Sequence, residues 1–96
     1  MSDRRRLEDA EIEAMLAGHP RWQLDGGRLR RTYEFSDFAA AFAFMTRVAL
    51  VSERLDHHPE WSNVYDRLEI AITDHQVGAL STFDREWVEQ VDRLGS

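Results

Sequence analysis

Residues Ser36 to His75 read SDFAAAFAFMTRVALVSERLDHHPEWSNVYDRLEIAITDH, and the change of period inside this stretch decides the fold class. The first half repeats at helical spacing, with Phe38, Phe42, Met45, Val48, Ala49, Ser52 and Leu55 on one stripe. Ser36 is suited to cap this helix, which the pattern extends over residues 37–55. The second half alternates, with Leu68, Ile70 and Ile72 on one side and Glu69, Ala71 and Thr73 on the other, the period of a strand. Between them His58-Pro59 closes the helix, because proline disfavours the helical conformation in the residue before it. Residues 63–65 offer a short strand, and a tight turn near Asp66-Arg67 would fold the two strands into a hairpin. The helix is apolar beyond its stripe as well, since Phe44, Leu50 and Val51 lie off it. That leaves two readings open: a deeply buried central helix, or one that shares a surface with another subunit.

Upstream, Leu7, Ile12, Met15 and Leu16 stand among acids over residues 7–17, the pattern of a short amphipathic helix. Gly18-His19-Pro20 stops it. Trp22 and Leu24 alternate with polar residues, Asp25-Gly26-Gly27 is a hairpin turn, and residues 29–35 form the return strand. On that strand Arg31 shares a face with Leu29, Tyr33 and Phe35, which predicts a face only partly buried. Downstream, residues 74–80 form a loop, and Ser81 with Asp84 makes a capping box. Trp87, Val88, Val91 and Leu94 then form the inner stripe of a last helix. The order α-β-β-α-β-β-α gives an α+β fold: a four-stranded antiparallel sheet buries one face under three helices.

With 96 residues the chain makes one domain, read as residues 7–96 behind a disordered N-terminus of residues 1–6. Domains this small are marginally stable alone. Eighteen acidic residues against 12 basic ones, a net charge of −6, speak against nucleic-acid binding. The Arg4-Arg5-Arg6 run is expected to be solvated and mobile. The absence of cysteine excludes disulfides and thiolate metal sites. No apolar stretch approaches the ~20 residues of a membrane span, and the first residues lack the apolar core of a signal peptide. A cytoplasmic protein without a membrane partner is the expectation.

Chemistry concentrates in Glu53-Arg54-Leu55-Asp56-His57-His58-Pro59-Glu60-Trp61. Two of the four histidines are adjacent here, and a third, His75, follows the last strand. Imidazole both takes and gives a proton near neutrality. Neighbouring residues in an irregular segment point in different directions, which suits one imidazole for proton transfer and the other for positioning. A hairpin over residues 63–73 would return His75 toward the His57-His58 corner. The residues alone leave three options: an acid–base site, a zinc or iron site with Asp or Glu, or a solvated surface pair. No His-Glu-x-x-His pair, Gly-x-Ser-x-Gly elbow or glycine-rich phosphate loop is present. His19 reads as a plain surface residue.

The chain resembles the pterin-4a-carbinolamine dehydratases. Their signature is a charged residue, then after three positions His-His-Pro, an aromatic, a His or Trp, and a closing Asp. Glu53, His57-His58-Pro59, Tyr65, His75 and Asp84 stand at those spacings. LDHHPEWSNVYDRL, FAFMTRVALVSERLDHHPEW and Trp22 with its Asp-Gly turn are similar to the family as well, so the resemblance runs from about Leu7 to Leu94. It implies a four-stranded antiparallel sheet with three helices on one face, and assembly as a homodimer or homotetramer. It also implies dehydration of 4a-hydroxytetrahydropterin to quinonoid dihydropterin, in recycling tetrahydrobiopterin after an aromatic amino acid hydroxylase, with no metal or other cofactor.

On this resemblance His57, His58 and His75 are the catalytic trio: His57 and His75 transfer protons and His58 holds the pterin. Glu53 orients an imidazole, while Asp56, Pro59 and Trp61 belong to the pterin pocket. Asp84 either contacts substrate or caps the last helix. Many relatives have two glycines before that helix, where this chain has Val77-Gly78-Ala79-Leu80. Some relatives serve instead as dimerisation cofactors of a homeodomain transcription factor or as assembly factors. The intact trio favours the enzyme over such a scaffold, and a metal hydrolase is the third class.

Overall fold

In chain order the elements are α1 (Asp9–Gly18), β1 (Gln23–Asp25), β2 (Arg28–Glu34), α2 (Phe38–Leu55), β3 (Glu60–Val64), β4 (Arg67–Ile72) and α3 (Thr82–Arg93). They come from a computed structural model that describes residues 3–95. The strands lie in the order β1-β2-β4-β3, every neighbouring pair antiparallel. This is the α+β sheet with three helices expected from the periodicity, with β4 placed in the interior of the sheet.

Both hairpins turn over two residues. Asp25 pairs with Arg28 across Gly26 and Gly27, which both take positive φ, as this tight turn demands. Val64 pairs with Arg67, so the second turn is Tyr65-Asp66, one residue earlier than expected, with Tyr65 at φ 52°.

The inward face carries Leu29, Tyr33, Leu68, Ile70 and Ile72, packed against Met15 of α1, Phe44, Val48 and Val51 of α2, and Trp87, Val88 and Val91 of α3. The opposite face is polar, with ion pairs such as Arg28–Glu60 and Arg30–Asp25. Arg31 does not weaken the inner face. Its guanidinium lies 4.0 Å over the Tyr33 ring and pairs with Asp92 at 3.1 Å, so the charge is matched where it is buried.

α2 differs from expectation in two ways. Its cap is Asp37, whose carboxylate accepts the Ala40 N–H, rather than Ser36. Its inward face is also rotated from the expected stripe, of which Val48 and Ser52 are buried and Met45 and Leu55 pack on the core. Ala41, Phe44, Val48, Val51 and Ser52 are buried, while Phe38 and Phe42 are 48% and 55% exposed. The helix is apolar on several sides, so period alone gave no orientation. Phe44 decides it, with its ring 4.7 Å from that of Tyr33 and 5.4 Å from that of Phe35.

The Arg5 and Arg6 side chains are exposed, but the backbone of the basic run is tied to the fold. Arg6 bridges Ser81, the Thr82 N–H donates to the Arg5 carbonyl at 3.0 Å, and the Leu7 N–H donates to the Leu80 carbonyl at 2.9 Å. Arg5 pairs with Glu11 at 2.8 Å. These partners lie far along the chain or on the next helix, where a charge run read by itself cannot see them. Met1 and Ser2 of the expected disordered segment, and Ser96, lie outside the described residues. Among the described residues no helix is long and apolar enough to cross a membrane.

Candidate active site

The site begins where α2 ends. Asp56 takes the left-handed conformation (φ 51°, ψ 46°), and the His57 N–H donates back to the Ser52 carbonyl at 3.0 Å. This is a Schellman ending, with Asp in the place usually held by glycine. The helix therefore stops at Leu55, ahead of the point Pro59 would impose. The turn sends adjacent histidines in opposite directions: the His57 side chain is 7% exposed and that of His58 is 53% exposed.

Ser52 fixes this corner from beneath. Its hydroxyl donates to the Val48 carbonyl at 2.8 Å and accepts the Trp87 indole N–H at 3.0 Å, locking α2 to α3. A serine among the apolar residues of a helix was the cue for such a bond.

His57 Nε2 lies 2.6 Å from Asp84 Oδ1. The other oxygen, Oδ2, accepts the Ser81 backbone N–H at 2.7 Å, completing the capping box at the start of α3. Asp84 is fully buried, so one carboxylate both caps the helix and anchors the imidazole. Acting as acceptor on both oxygens, it receives a hydrogen bond from the Nε2–H and leaves Nδ1 as the ring nitrogen not engaged by Asp84. The Phe83 ring stands edge-on to His57 at 6.0 Å.

His58 Nε2 lies 2.6 Å from Glu53 Oε1, an exposed pair five residues apart across the end of α2. Asp56 is exposed at the turn itself, and Pro59 is half-buried. Trp61, on β3 opposite Ile70, packs half-buried against the core. Tyr65 is exposed at the far hairpin turn.

The β3–β4 register runs from Val64–Arg67 to Glu60–Ala71. Extended past its last pair, it sets His58 and His57 across from Thr73 and Asp74, which brings His75 to the same end of the hairpin. Asp74 is within electrostatic reach of His57. His75 is exposed and its imidazole has no side-chain partner among the described residues. It lines a cleft of about 470 Å³ together with Arg6, Leu24, Arg28 and Leu80, among others, and neither His57 nor His58 forms part of that wall. No hydrogen bond joins the three imidazoles among the described residues.

Asp74 was missed by sequence reasoning. It is buried and accepts from Ser81 Oγ at 2.7 Å, Arg4 Nε at 3.0 Å, and the backbone N–H groups of Gln76 and Val77 at 3.0 and 3.1 Å. Burial alone would push this carboxyl up. The Ser81 and Val77 hydrogen bonds, with the charges of Arg4 and His57, outweigh it and hold the group below its ordinary range. An aspartate opening a loop, two and three residues before the amides it accepts, was the available cue. The loop resolves the missing glycine as well: Gly78 takes φ 79°, and Ala79 has no positive φ to bear.

His19 is also not a plain surface residue. Its Nδ1 lies 2.6 Å from Asp92, which also accepts from Trp22 and Arg31. This cluster belongs to the packing of α1, α3 and the sheet. Among the described residues no three His, Asp or Glu side chains gather as a metal site.

The site is a corner of a small α+β protein with one imidazole held by a buried carboxylate, a second on an exposed one, and a third without a side-chain partner among the described residues. Comparison with known proteins gives the particular family. The family described as pterin 4 alpha carbinolamine dehydratase matches residues 5–94. A protein of Synechococcus sp. (strain WH7803) named "Putative pterin-4-alpha-carbinolamine dehydratase" is 48% identical over 88 residues, covering 92% of this chain and 95% of its own. One of Rhizorhabdus wittichii (strain RW1) with the same name is 49% identical over 90 residues, covering 92% and 93%. The crystal structure of a "transcriptional coactivator/pterin dehydratase" from Brucella melitensis superposes with a TM-score of 0.88 at 33% identity, covering 96% of this chain and all of that one. The chain belongs to the pterin-4a-carbinolamine dehydratase family.

Proposed function

We propose that this protein dehydrates 4a-hydroxytetrahydropterin to quinonoid dihydropterin, using imidazole acid–base catalysis at the His57, His58, His75 corner. The reaction needs one proton removed and one delivered. A base takes the proton from the ring nitrogen beside C4a, and the N–H electron pair becomes the new carbon–nitrogen π bond. The C4a–O pair leaves with the hydroxyl, which accepts a proton from an acid and departs as water. No electrons leave the system, so the protein's task is placement of an acid and a base.

His57 suits the base. Asp84 fixes its orientation and directs the lone pair to Nδ1. His75, exposed and without a side-chain partner among the described residues, suits the acid that meets the departing hydroxyl. His58, held by Glu53, suits contact with the pterin ring, whose flat face Trp61 and Pro59 would border, with Asp56 at the rim. The observation that carries this reading is the 2.6 Å His57–Asp84 contact in a buried setting, together with membership of the family.

A stopped-flow assay with 4a-hydroxytetrahydropterin on wild type, His57→Ala and His75→Ala tests it. Each substitution should cut the rate by roughly 10²–10⁴ without unfolding the protein. Equal rates in all three proteins would refute it. Dialysis against a chelator should leave the wild-type rate unchanged, and a loss that zinc or iron restores would favour the metal reading.

A second reading, a scaffold that binds protein partners, is favoured by Phe38, Phe42 and Leu50, all about half or more exposed on α2. We place self-association into dimers or tetramers on this face and on the open edge of β3, in a cytoplasmic protein working beside an aromatic amino acid hydroxylase. Light scattering of the purified protein checks the assembly. A stable heterologous complex without dehydratase activity would favour the scaffold.

A further inference from the structure

The Asp74 carboxylate joins the two halves of the site. Its oxygen Oδ1 accepts the Gln76 and Val77 amides and so shapes the turn that carries His75. Its oxygen Oδ2 accepts the Ser81 hydroxyl at 2.7 Å. Ser81 in turn gives its backbone N–H to Asp84, the carboxylate that holds His57. Ser81, Asp74 and Asp84 are each 1% exposed or less, so these bonds form away from competing water.

A buried carboxylate needs a countercharge, and Arg4 supplies it from the other end of the chain. Its Nε reaches Asp74 at 3.0 Å and its Nη1 reaches Gln76 at 2.7 Å, while its guanidinium lies 4.0 Å over the Phe83 ring. Phe83 is the ring set edge-on to His57. Arg4 thus touches the His75 turn on one side and the aromatic neighbour of His57 on the other. The backbone bonds from residues 5–7 to residues 80–82 hold it in place.

We propose that Arg4 and Asp74 are positioning residues of the histidine site, fixing the turn of His75 and, through Ser81 and Phe83, the seat of His57. The role assigned to catalysis rests on the dehydratase reading; the geometric role does not. Neither side chain needs to touch substrate. Loss of either should loosen His57 and His75 together, although they lie 18 positions apart in sequence.

The test uses Asp74→Asn, Arg4→Ala and Arg4→Lys, with Arg30→Ala on the polar face of the sheet as the control. Circular dichroism confirms that each variant is folded. Arg4 is partly exposed, so its variants serve even where Asp74→Asn does not fold. The activity-independent readout is the imidazole NMR signals of His57 and His75. Both sets should shift or broaden in Asp74→Asn and Arg4→Ala, stay put in Arg30→Ala, and return part of the way in Arg4→Lys. In the active enzyme, kcat should fall on the order of tenfold to a hundredfold with KM within about twofold, since small misplacements of reacting groups cost rate. Unchanged ring signals in folded Asp74→Asn and Arg4→Ala overturn the proposal whatever the rates do, and so does a kcat within about twofold of an active wild type. Should the wild type show no dehydration at all, the dehydratase reading falls, and the ring signals alone decide whether the pair positions the histidines.

Discussion

Asp84 gives the sharpest stability prediction, because one buried carboxylate holds two donors at once. Asp84→Ala removes the reciprocal half of the α3 capping box, the acceptor of the Ser81 N–H, a loss of about 1 kcal/mol. It also strands the His57 Nε2–H in a buried setting, which costs about 1–3 kcal/mol. The sum, roughly 2–4 kcal/mol, is a large part of the ~5–15 kcal/mol that holds a domain together. Asp84→Asn keeps the shape but offers one acceptor oxygen for two donors, so about 1–2 kcal/mol should be lost. For a chain of this size each kcal/mol moves Tm by about 4–8 °C. Thermal melts followed by tryptophan fluorescence should place Asp84→Ala roughly 10–25 °C below wild type, with Asp84→Asn between them. Combining His57→Ala with Asp84→Ala should cost at least ~1 kcal/mol less than the sum of the single changes, because the two share one bond. A shift under about 3 °C for Asp84→Ala, or strict additivity in the double variant, would refute the assigned double role.

The remaining predictions use other parts of the molecule. The Tyr33 hydroxyl is buried without a hydrogen-bond partner among the described residues, so Tyr33→Phe should be neutral or stabilising by up to ~1 kcal/mol in urea melts. Burial pushes the Tyr33 phenol up to about 12 from an ordinary 10, so the native state holds its proton longer than the unfolded chain does. The associated stability is present below pH 10 and lost as pH rises toward about 12, and Tyr33→Phe should flatten that alkaline limb. Asp74 has the opposite sign: its carboxyl is depressed, so its contribution is present above the unfolded value near ~4 and lost as pH falls further. Acid titrations should show a shallower acid limb in Asp74→Asn than in wild type. Asp92 accepts from His19, Trp22 and Arg31, so Asp92→Ala should lower stability by about 2–4 kcal/mol in the same melts and alter the Trp22 emission.

The α+β architecture was legible because period 3.6 and period 2 alternate cleanly around clear turns. The Ser81–Asp84 box and the Gly26-Gly27 hairpin were readable as local chemistry. The inward face of α2 was not, since an alanine- and phenylalanine-rich helix offers several apolar stripes and only packing against Tyr33 and Phe35 selects one. Its end at Leu55 was legible, but the cause, Asp56 in a left-handed conformation, was masked by Pro59. The adjacent histidines drew attention to the site. The ion pair proposed to organise it, Asp74 with Arg4, did not, because the pair spans about 70 positions and leaves no periodic trace. His19 was undervalued for the same reason, its partner Asp92 lying on the last helix.

The proposed dehydration requires the three imidazoles to face one pterin ring. Titrating the protein with a stable dihydropterin, while following the assigned imidazole resonances of His57, His58, His75 and His19, measures this directly. Saturable shifts in the first three at one shared Kd, with His19 unmoved, are the predicted result. Shifts at His75 alone, or at His57 and His58 without His75, would mean that the ligand does not bridge the two sides, and the proposed dehydration would have no acid and base in reach of the same ring.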